Sequence, residues 1–331
     1  MQPYASARSE FAKVTEKMIF LDANENPFET GLNRYPDPQQ LNLKGALAAQ
    51  KGLKVENILL GNGSDEVLDL IFRVFCEPNT DNIITLPPTF GIYDVLANTN
   101  AIENRKVVLN VDFQPDVEAI VKVTDANSKL LFICSPNNPT GNTISAQKIK
   151  KLLNTFNGLV VIDEAYIDFS KEESWISRLE EFPNLIITQT LSKAYGLAGI
   201  RLGTCYASKE IITVLNRIKL PYNINELTQQ RALERVLKTD EVAHEIEIIL
   251  KEREILINLL KKVGFIQKIY PTDANFILVK VDNANKRYQQ LLEKGIVLRN
   301  RTTQALLENC LRITVGTAEE NEKLLKAISK C

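Results

Sequence analysis

Between about residues 41 and 230 one pattern recurs, and it leaves few folds open. Short runs rich in Val, Ile and Leu alternate with stretches whose apolar residues return at helical spacing. "ENILLG" leads into "SDEVLDLIFRVFCE", "NIITLPPTF" into "GIYDVLANT", and "KLLFICSPNNPTG" into "SAQKIKKLLNTF". "GLVVIDEAYIDF", "NLIITQTLSKAYG" and "IRLGTCYAS" complete the series. A strand that is apolar on both faces has to be covered on both. The series therefore predicts an α/β fold with a mainly parallel central sheet between helices. With 331 residues, 44% of them hydrophobic, the chain can build more than one core.

A helical region over about 225–262 comes next, followed by a shorter alternation. It reads "NFILVKV", "ANKRYQQLLEKG", "IVLRN", "CLRITVG" and "AEENEKLLKAISK", and predicts a smaller α+β domain. The expected division is a large domain over 29–230 and a small C-terminal domain over 231–331. Residues 1–28, polar and punctuated by proline, form an arm expected to pack with the small domain or a partner subunit.

Charge and cysteine usage exclude several function classes. Lys and Arg number 40 against 41 Asp and Glu, which gives no basic face for nucleic acid or anionic membrane. The opening "MQPYASARSEFAKVTEK" has no apolar core of signal-peptide length, and charges interrupt every apolar block. A cytoplasmic protein with no membrane partner is expected. Five scattered cysteines without a C-x-x-C read as reduced thiols rather than a metal site. The single histidine, His244, lies in the charged helical stretch "DEVAHEIEIILKERE". A Ser-His-Asp triad or a multi-histidine zinc site would rest on that residue alone, and no metal is expected.

In an open α/β sheet the ligand crevice lies beyond the carboxyl ends of the strands. The unusual polar residues collect there: "GNGSDE", "PPTF", "SPNNPTG", "DEAY" and "SK". "GNGSDE" (61–66) lacks the third glycine of a dinucleotide turn and the Gly-Lys of a P-loop. What remains is a glycine turn opening a helix near Ser64 and Asp65. Its free N–H groups suit a phosphate, although Ser64 is equally an ordinary N-cap. Asp163 closes the apolar run "LVVI", where a carboxylate is costly unless it is paired. Lys193 ends another such run. It reads either as a structural partner for Asp163 or as a nucleophilic amine, since a buried lysine shifts its pKa readily.

"SPNNPTG", "DEAY" and "TLSKAYGLAGIRLG", in that order and with the lysine intact, resemble the fold-type-I pyridoxal-phosphate aminotransferases. "PYASARSE", "LDANENP", "NRYPDP", "GNGSDE", "PPTFGIY", "GIVLRN" and "CLRITVGT" narrow the resemblance to the histidinol-phosphate aminotransferase family, from about residue 3 to the end. The resemblance implies a pyridoxal 5'-phosphate cofactor and a homodimer with shared active sites. It implies that Lys193 carries the cofactor covalently and moves the substrate Cα proton. Asp163 would pair with the pyridinium nitrogen, Tyr166 and Asn138 would hydrogen-bond the ring's phenolic oxygen, and Phe90 would stack on the ring. Phenylalanine stands at 90 where family members often have tyrosine. The cofactor phosphate would rest on Gly63, Ser64, Asp65, Ser192 and Arg201, with Tyr35 reaching in from a second subunit.

On the substrate side the resemblance points to Tyr4, Asn26, Asn138, Arg299 and Arg312. Arg312 matches the arginine that binds an α-carboxylate in ordinary members of the superfamily, and Arg299 and Tyr4 match additional phosphate contacts. Two guanidiniums and a phenol suit a dianionic tetrahedral group better than a planar monoanion. Read without the resemblance, Arg299 is also compatible with a surface ion pair. The implied substrates are histidinol phosphate and 2-oxoglutarate or glutamate. Three other readings share the scaffold: an aromatic or broad-specificity aminotransferase, a threonine-phosphate decarboxylase, and a non-catalytic binding protein.

Overall fold

The computed structural model describes residues 19–331. Its larger sheet holds seven strands: β1 (Ile58–Asn62), β2 (Asn82–Thr85), β3 (Glu103–Lys106), β4 (Ser128–Cys134), β5 (Leu159–Asp163), β6 (Leu185–Thr190) and β7 (Leu202–Ala207). They lie in the order β1-β7-β6-β5-β4-β2-β3. The ladders joining β6, β5, β4, β2 and β3 are parallel. β7 runs antiparallel to both of its neighbours, β1 and β6. A smaller antiparallel sheet follows, ordered β10-β11-β9-β8, with β8 Ile266–Ile269, β9 Phe276–Val281, β10 Arg299–Asn300 and β11 Cys310–Thr314.

Alternation along the strands divides the apolar residues between the two faces of the large sheet. Leu60, Leu131, Ile133, Ile162 and Ile187 join the cluster on one face, while Leu59, Leu130, Phe132, Val161 and Ile186 join the other. Every residue of β6 and β7 is buried. The two-sided burial expected of a covered sheet is therefore met. β9 links the two sheets. Phe276 and Leu278 belong to the core of the large sheet, and Ile277, Val279 and Val281 to a third cluster under the small sheet.

Two strands lack the apolar signal used to anticipate the others. β3 has the sequence "ENRK" with no buried residue, and it lies at the edge of the sheet, where charge discourages pairing with a further strand. β8, "IQKI", is half-exposed at the opposite edge of the small sheet. β10 is shorter than the run "IVLRN" suggested. Ile296 is drawn back to the preceding helix, where its N–H donates to the Leu291 carbonyl at 2.9 Å.

Candidate active site

The parallel strands β2, β4, β5 and β6 share a direction, so their carboxyl ends and the loops beyond them gather on one edge of the sheet. A cavity of about 480 Å3 opens there. It is lined by Ser64, Asp65, Phe90, Asn138, Asp163, Tyr166, Ser192, Lys193, Arg201, Arg299 and Arg312, side chains drawn from both sheets. Gly63 adjoins this wall through Arg201. Asn26 and Tyr35 do not line the cavity of their own chain. Asn26 is exposed, and its Oδ1 accepts from the Phe28 N–H at 2.9 Å. Tyr35 stacks on Tyr222, with ring centroids 4.6 Å apart. Tyr4 lies outside the described residues.

Asp163 closes β5, only 2% exposed. Its carboxylate accepts from the Tyr93 hydroxyl at 2.8 Å and from the Ala165 N–H at 3.1 Å. No cation among the described residues is hydrogen-bonded to it. Burial pushes its pKa up, and the Tyr93 and Ala165 bonds only partly oppose that rise. Such a carboxylate is ready for a cationic ring nitrogen. Tyr93 was not among the residues expected from the sequence, although it ends the quoted "PPTFGIY". Its hydroxyl is 70 positions from Asp163, and nothing local signals that contact.

Lys193 lies three residues beyond β6 and is exposed within the cavity. The cavity walls nevertheless strip water from the amine. Desolvation first, then Arg312 and Arg201, hold its pKa below the usual lysine range, while Asp163 and Asp65 pull the other way. More of the neutral nucleophile is therefore present near neutral pH than on a free lysine. Its Nζ lies 5.8 Å from the centre of the Tyr166 ring. Tyr166 is buried edge-on against Phe276 at 5.1 Å, and burial raises its phenol pKa.

An anion cradle stands at the end of β1. The helix Gly63–Phe75 begins with no side-chain cap, so Ser64 is not its N-cap. The Gly63 N–H donates to the Arg201 carbonyl at 2.8 Å, which leaves the N–H groups of Ser64 and Asp65 as the ones an anion could take at this helix start. Arg201 extends over this turn and meets Asp65 at 3.2 Å. Gly63 has φ +75, and a Cβ there would sit 2.6 Å from the Arg201 guanidinium. On the opposite wall Arg312 donates to Asn138 Oδ1 and lies over Phe276, 5.1 Å from the ring centre. That bond leaves the Asn138 amide N–H2 to donate elsewhere. Arg299 stands directly across the β10–β11 ladder from Arg312 and makes no ion pair among the described residues. Arg301 and Gln304 also line the cavity and were not anticipated. The spacing of "RNR" was the available signal, because residues two apart on a strand share a face.

These residues define a class of protein. The chain belongs to the aminotransferase class I and II family, whose profile matches residues 12–328. It is a pyridoxal-phosphate-dependent transaminase of fold type I. Within that class it is 64% identical to the histidinol-phosphate aminotransferase of Flavobacterium johnsoniae, over 99% of this chain and 94% of the relative. Among solved structures it resembles the histidinol-phosphate aminotransferase of Clostridium acetobutylicum, with a TM-score of 0.84, 27% identity and 91% of each chain covered. The enzyme of the same name from Sinorhizobium meliloti, solved with pyridoxal-5'-phosphate, shares the fold at a TM-score of 0.81 and 23% identity, covering 90% of this chain and 83% of that one.

The residues present fit that cofactor. An uncapped helix N-terminus beside Arg201 suits its phosphate, and the buried Asp163 without a cationic partner suits its ring nitrogen. Lys193 lines the same cavity as both, with its side chain exposed there.

Proposed function

We propose that this chain exchanges an amino group between L-histidinol phosphate and 2-oxoglutarate, giving imidazole acetol phosphate and glutamate by a ping-pong route. The observation that carries the substrate assignment is a group of arginines, Arg299, Arg301 and Arg312, on the wall of the cavity that holds Lys193. None of the three has a carboxylate partner among the described residues. A phosphate monoester supplies the two negative charges this wall lacks. The near-full-length identity to relatives of that name supports the same substrate.

The bound cofactor supplies the aldehyde that takes up the amino group and the ring that draws electrons from Cα. Lys193, with its depressed pKa, would hold the cofactor covalently and would carry the proton to and from the substrate Cα. Asp163, held by Tyr93 and Ala165, keeps a proton on the ring nitrogen. Tyr166 and Asn138 would donate to the phenolic oxygen, and Phe90 would pack against the ring, all three lining the cavity. Gly63, Ser64, Asp65, Ser192 and Arg201 would hold the cofactor phosphate, and Arg299 and Arg312 the substrate, joined by Tyr4 and by Asn26, which does not line its own chain's cavity and would reach the substrate from a partner subunit.

The working unit of this reading is a homodimer, divided within each chain into large and small domains at about residue 230. Exposed apolar side chains support the pairing: Ile19, Leu21 and Phe28 near the start of the described chain, and Leu220 and Leu227 beyond β7. Large apolar side chains left exposed in this way suit a protein–protein face. Among the described residues no helix is long and apolar enough to cross a membrane, and we place the enzyme in the cytoplasm.

A substrate panel tests the assignment. Histidinol phosphate, phenylalanine, tyrosine and threonine phosphate are each offered with 2-oxoglutarate, and glutamate and carbon dioxide are measured. Histidinol phosphate is expected to dominate. A clear preference for an aromatic amino acid, or carbon dioxide released from threonine phosphate, overturns the reading in favour of the corresponding rival.

A further inference from the structure

We propose that Arg301 is a specificity-determining residue of the substrate site, a third guanidinium that selects the phosphate end of the substrate over an uncharged one. The inference rests on the reading of histidinol phosphate as substrate and extends it to a residue outside the motifs that suggested that reading.

The strand geometry places Arg301 there. Arg299 pairs with Arg312 and Asn300 with Leu311 across β10 and β11. The Arg301 N–H donates to the Cys310 carbonyl at 2.9 Å, which carries the pairing one position further. Side chains two apart on a strand share a face, and directly opposed residues share it too. Arg299, Arg301 and Arg312 therefore project to one side, and all three line the cavity.

Among the described residues this face is left incomplete. Arg301 Nε and Arg312 Nε are both buried without a hydrogen-bond partner, and so is Gln304 Oε1, whose amide also lines the cavity. Folded proteins leave few buried polar atoms unpaired. Two such donors on neighbouring guanidiniums, with no acceptor among the described residues, indicate that the acceptor arrives with a ligand. The electrostatics agree. Burial, then Arg312 and Arg299, lower the Arg301 pKa to about 10, and the one opposing influence is the Tyr166 phenol. Three like charges held together in a partly desolvated wall call for an anion of more than one charge. A phosphate dianion offers three acceptor oxygens to the three cations, whereas a hydroxyl in its place offers one weak acceptor and no charge.

The test compares histidinol phosphate with histidinol, which differs only in lacking the phosphate. In the holoenzyme, Arg301→Gln is expected to lower kcat/KM for histidinol phosphate by about 10- to 100-fold, mainly through KM, the scale of one charge-assisted hydrogen bond. The loss for histidinol should be at least about tenfold smaller, so the preference ratio falls by about that factor. Competition by inorganic phosphate should weaken in parallel. A merely structural role moves both substrates equally, and an equal loss, or an unchanged ratio, overturns the proposal. If the glutamine variant does not fold, Arg301→Met keeps the apolar stem without the charge and is read by the same ratio. Cofactor absorbance reports the fold of either variant. The parent enzyme separates the two claims. A parent that shows no preference for histidinol phosphate over histidinol sinks the substrate reading, whereas a parent preference that survives in the variants sinks only the role of Arg301.

Discussion

Asp163 carries the sharpest conflict at the scale of single residues, because its folding cost and its catalytic use have the same origin. Burial raises its pKa above the ordinary carboxylate value. A carboxyl with a raised folded-state pKa binds more protons folded than unfolded. Its contribution to stability therefore falls as pH rises from the unfolded value of about 4 through the folded one. Asp163→Asn should remove that cost from the apo-protein. Tm near pH 7 is expected to rise on the order of 1–2 °C for each kcal/mol relieved, and the gain should shrink as pH falls toward about 4. The same change deprives the ring nitrogen of its anion. It is expected to slow turnover by about 30- to 1,000-fold, or about 2–4 kcal/mol of barrier. Calorimetry of the apo-protein and steady-state rates of the holoenzyme measure the two effects. A variant within twofold of the parent rate would mean that Asp163 does not face the ring. Asp163 was legible in the sequence because a carboxylate closing "LVVI" is conspicuous in itself. Tyr93 was not, because its role depends on the parallel stacking of β2, β4 and β5, which brings the helix after β2 alongside the end of β5.

At the scale of elements, the cofactor cradle depends on how closely the turn after β1 lies on the start of β7. A Cβ on Gly203 would stand 2.2 Å from the Ser64 nitrogen, so side-chain-free backbone on β7 is what lets the two come together. Gly63 then takes φ +75 beneath Arg201, which itself adopts a left-handed conformation at φ 56. Gly63→Ala introduces a strained backbone and a 2.6 Å clash with the Arg201 guanidinium. Because that guanidinium is the end of a flexible chain, it should swing away from the cradle rather than unfold the strand. The expected result is a global stability loss of about 1–2 kcal/mol and a cofactor affinity at least about tenfold weaker. Absorbance titration of the apo-protein with pyridoxal phosphate measures the affinity, and an unchanged Kd would exclude this turn as the phosphate site. The glycines were legible as a turn, but their second task, close approach to β7, was not. It requires β7 to run antiparallel between β1 and β6, and an apolar run alone does not disclose its direction or its neighbours. The same limit hid β3 and β8, edge strands too polar or too exposed to announce themselves.

For the whole molecule, the open question is how many chains build one site. The two sheets of one chain already meet at the cavity. The Asp273 N–H donates to the Gly141 carbonyl at 2.7 Å, and the Thr143 hydroxyl to Asp273 at 3.2 Å. That seam fixes the "SPNNPTG" turn against the small sheet and brings Arg312 to Asn138. Tyr35 lies outside this arrangement. It is 50% exposed, stacks on Tyr222 and does not line its own cavity, while large apolar side chains nearby in sequence remain exposed. Under the proposed shared site Tyr35 reaches the partner's cofactor phosphate, so each site draws Lys193 from one chain and Tyr35 from the other. Tyr35→Ala and Lys193→Ala chains, each poorly active alone, are unfolded together and refolded as mixed dimers, with the mixed species verified by distinguishable tags. In a mixed dimer one site then collects both lesions and the other collects neither. With random pairing about half of all dimers are mixed, and each mixed dimer carries one intact site, so the refolded mixture should regain about a quarter of the parent activity. If Tyr35 serves its own chain, every site in a mixed dimer keeps one lesion, and activity stays at the level of the separate variants. A Tyr35→Ala chain that is clearly impaired alone, together with verified mixed dimers that recover nothing, would rule out the shared site.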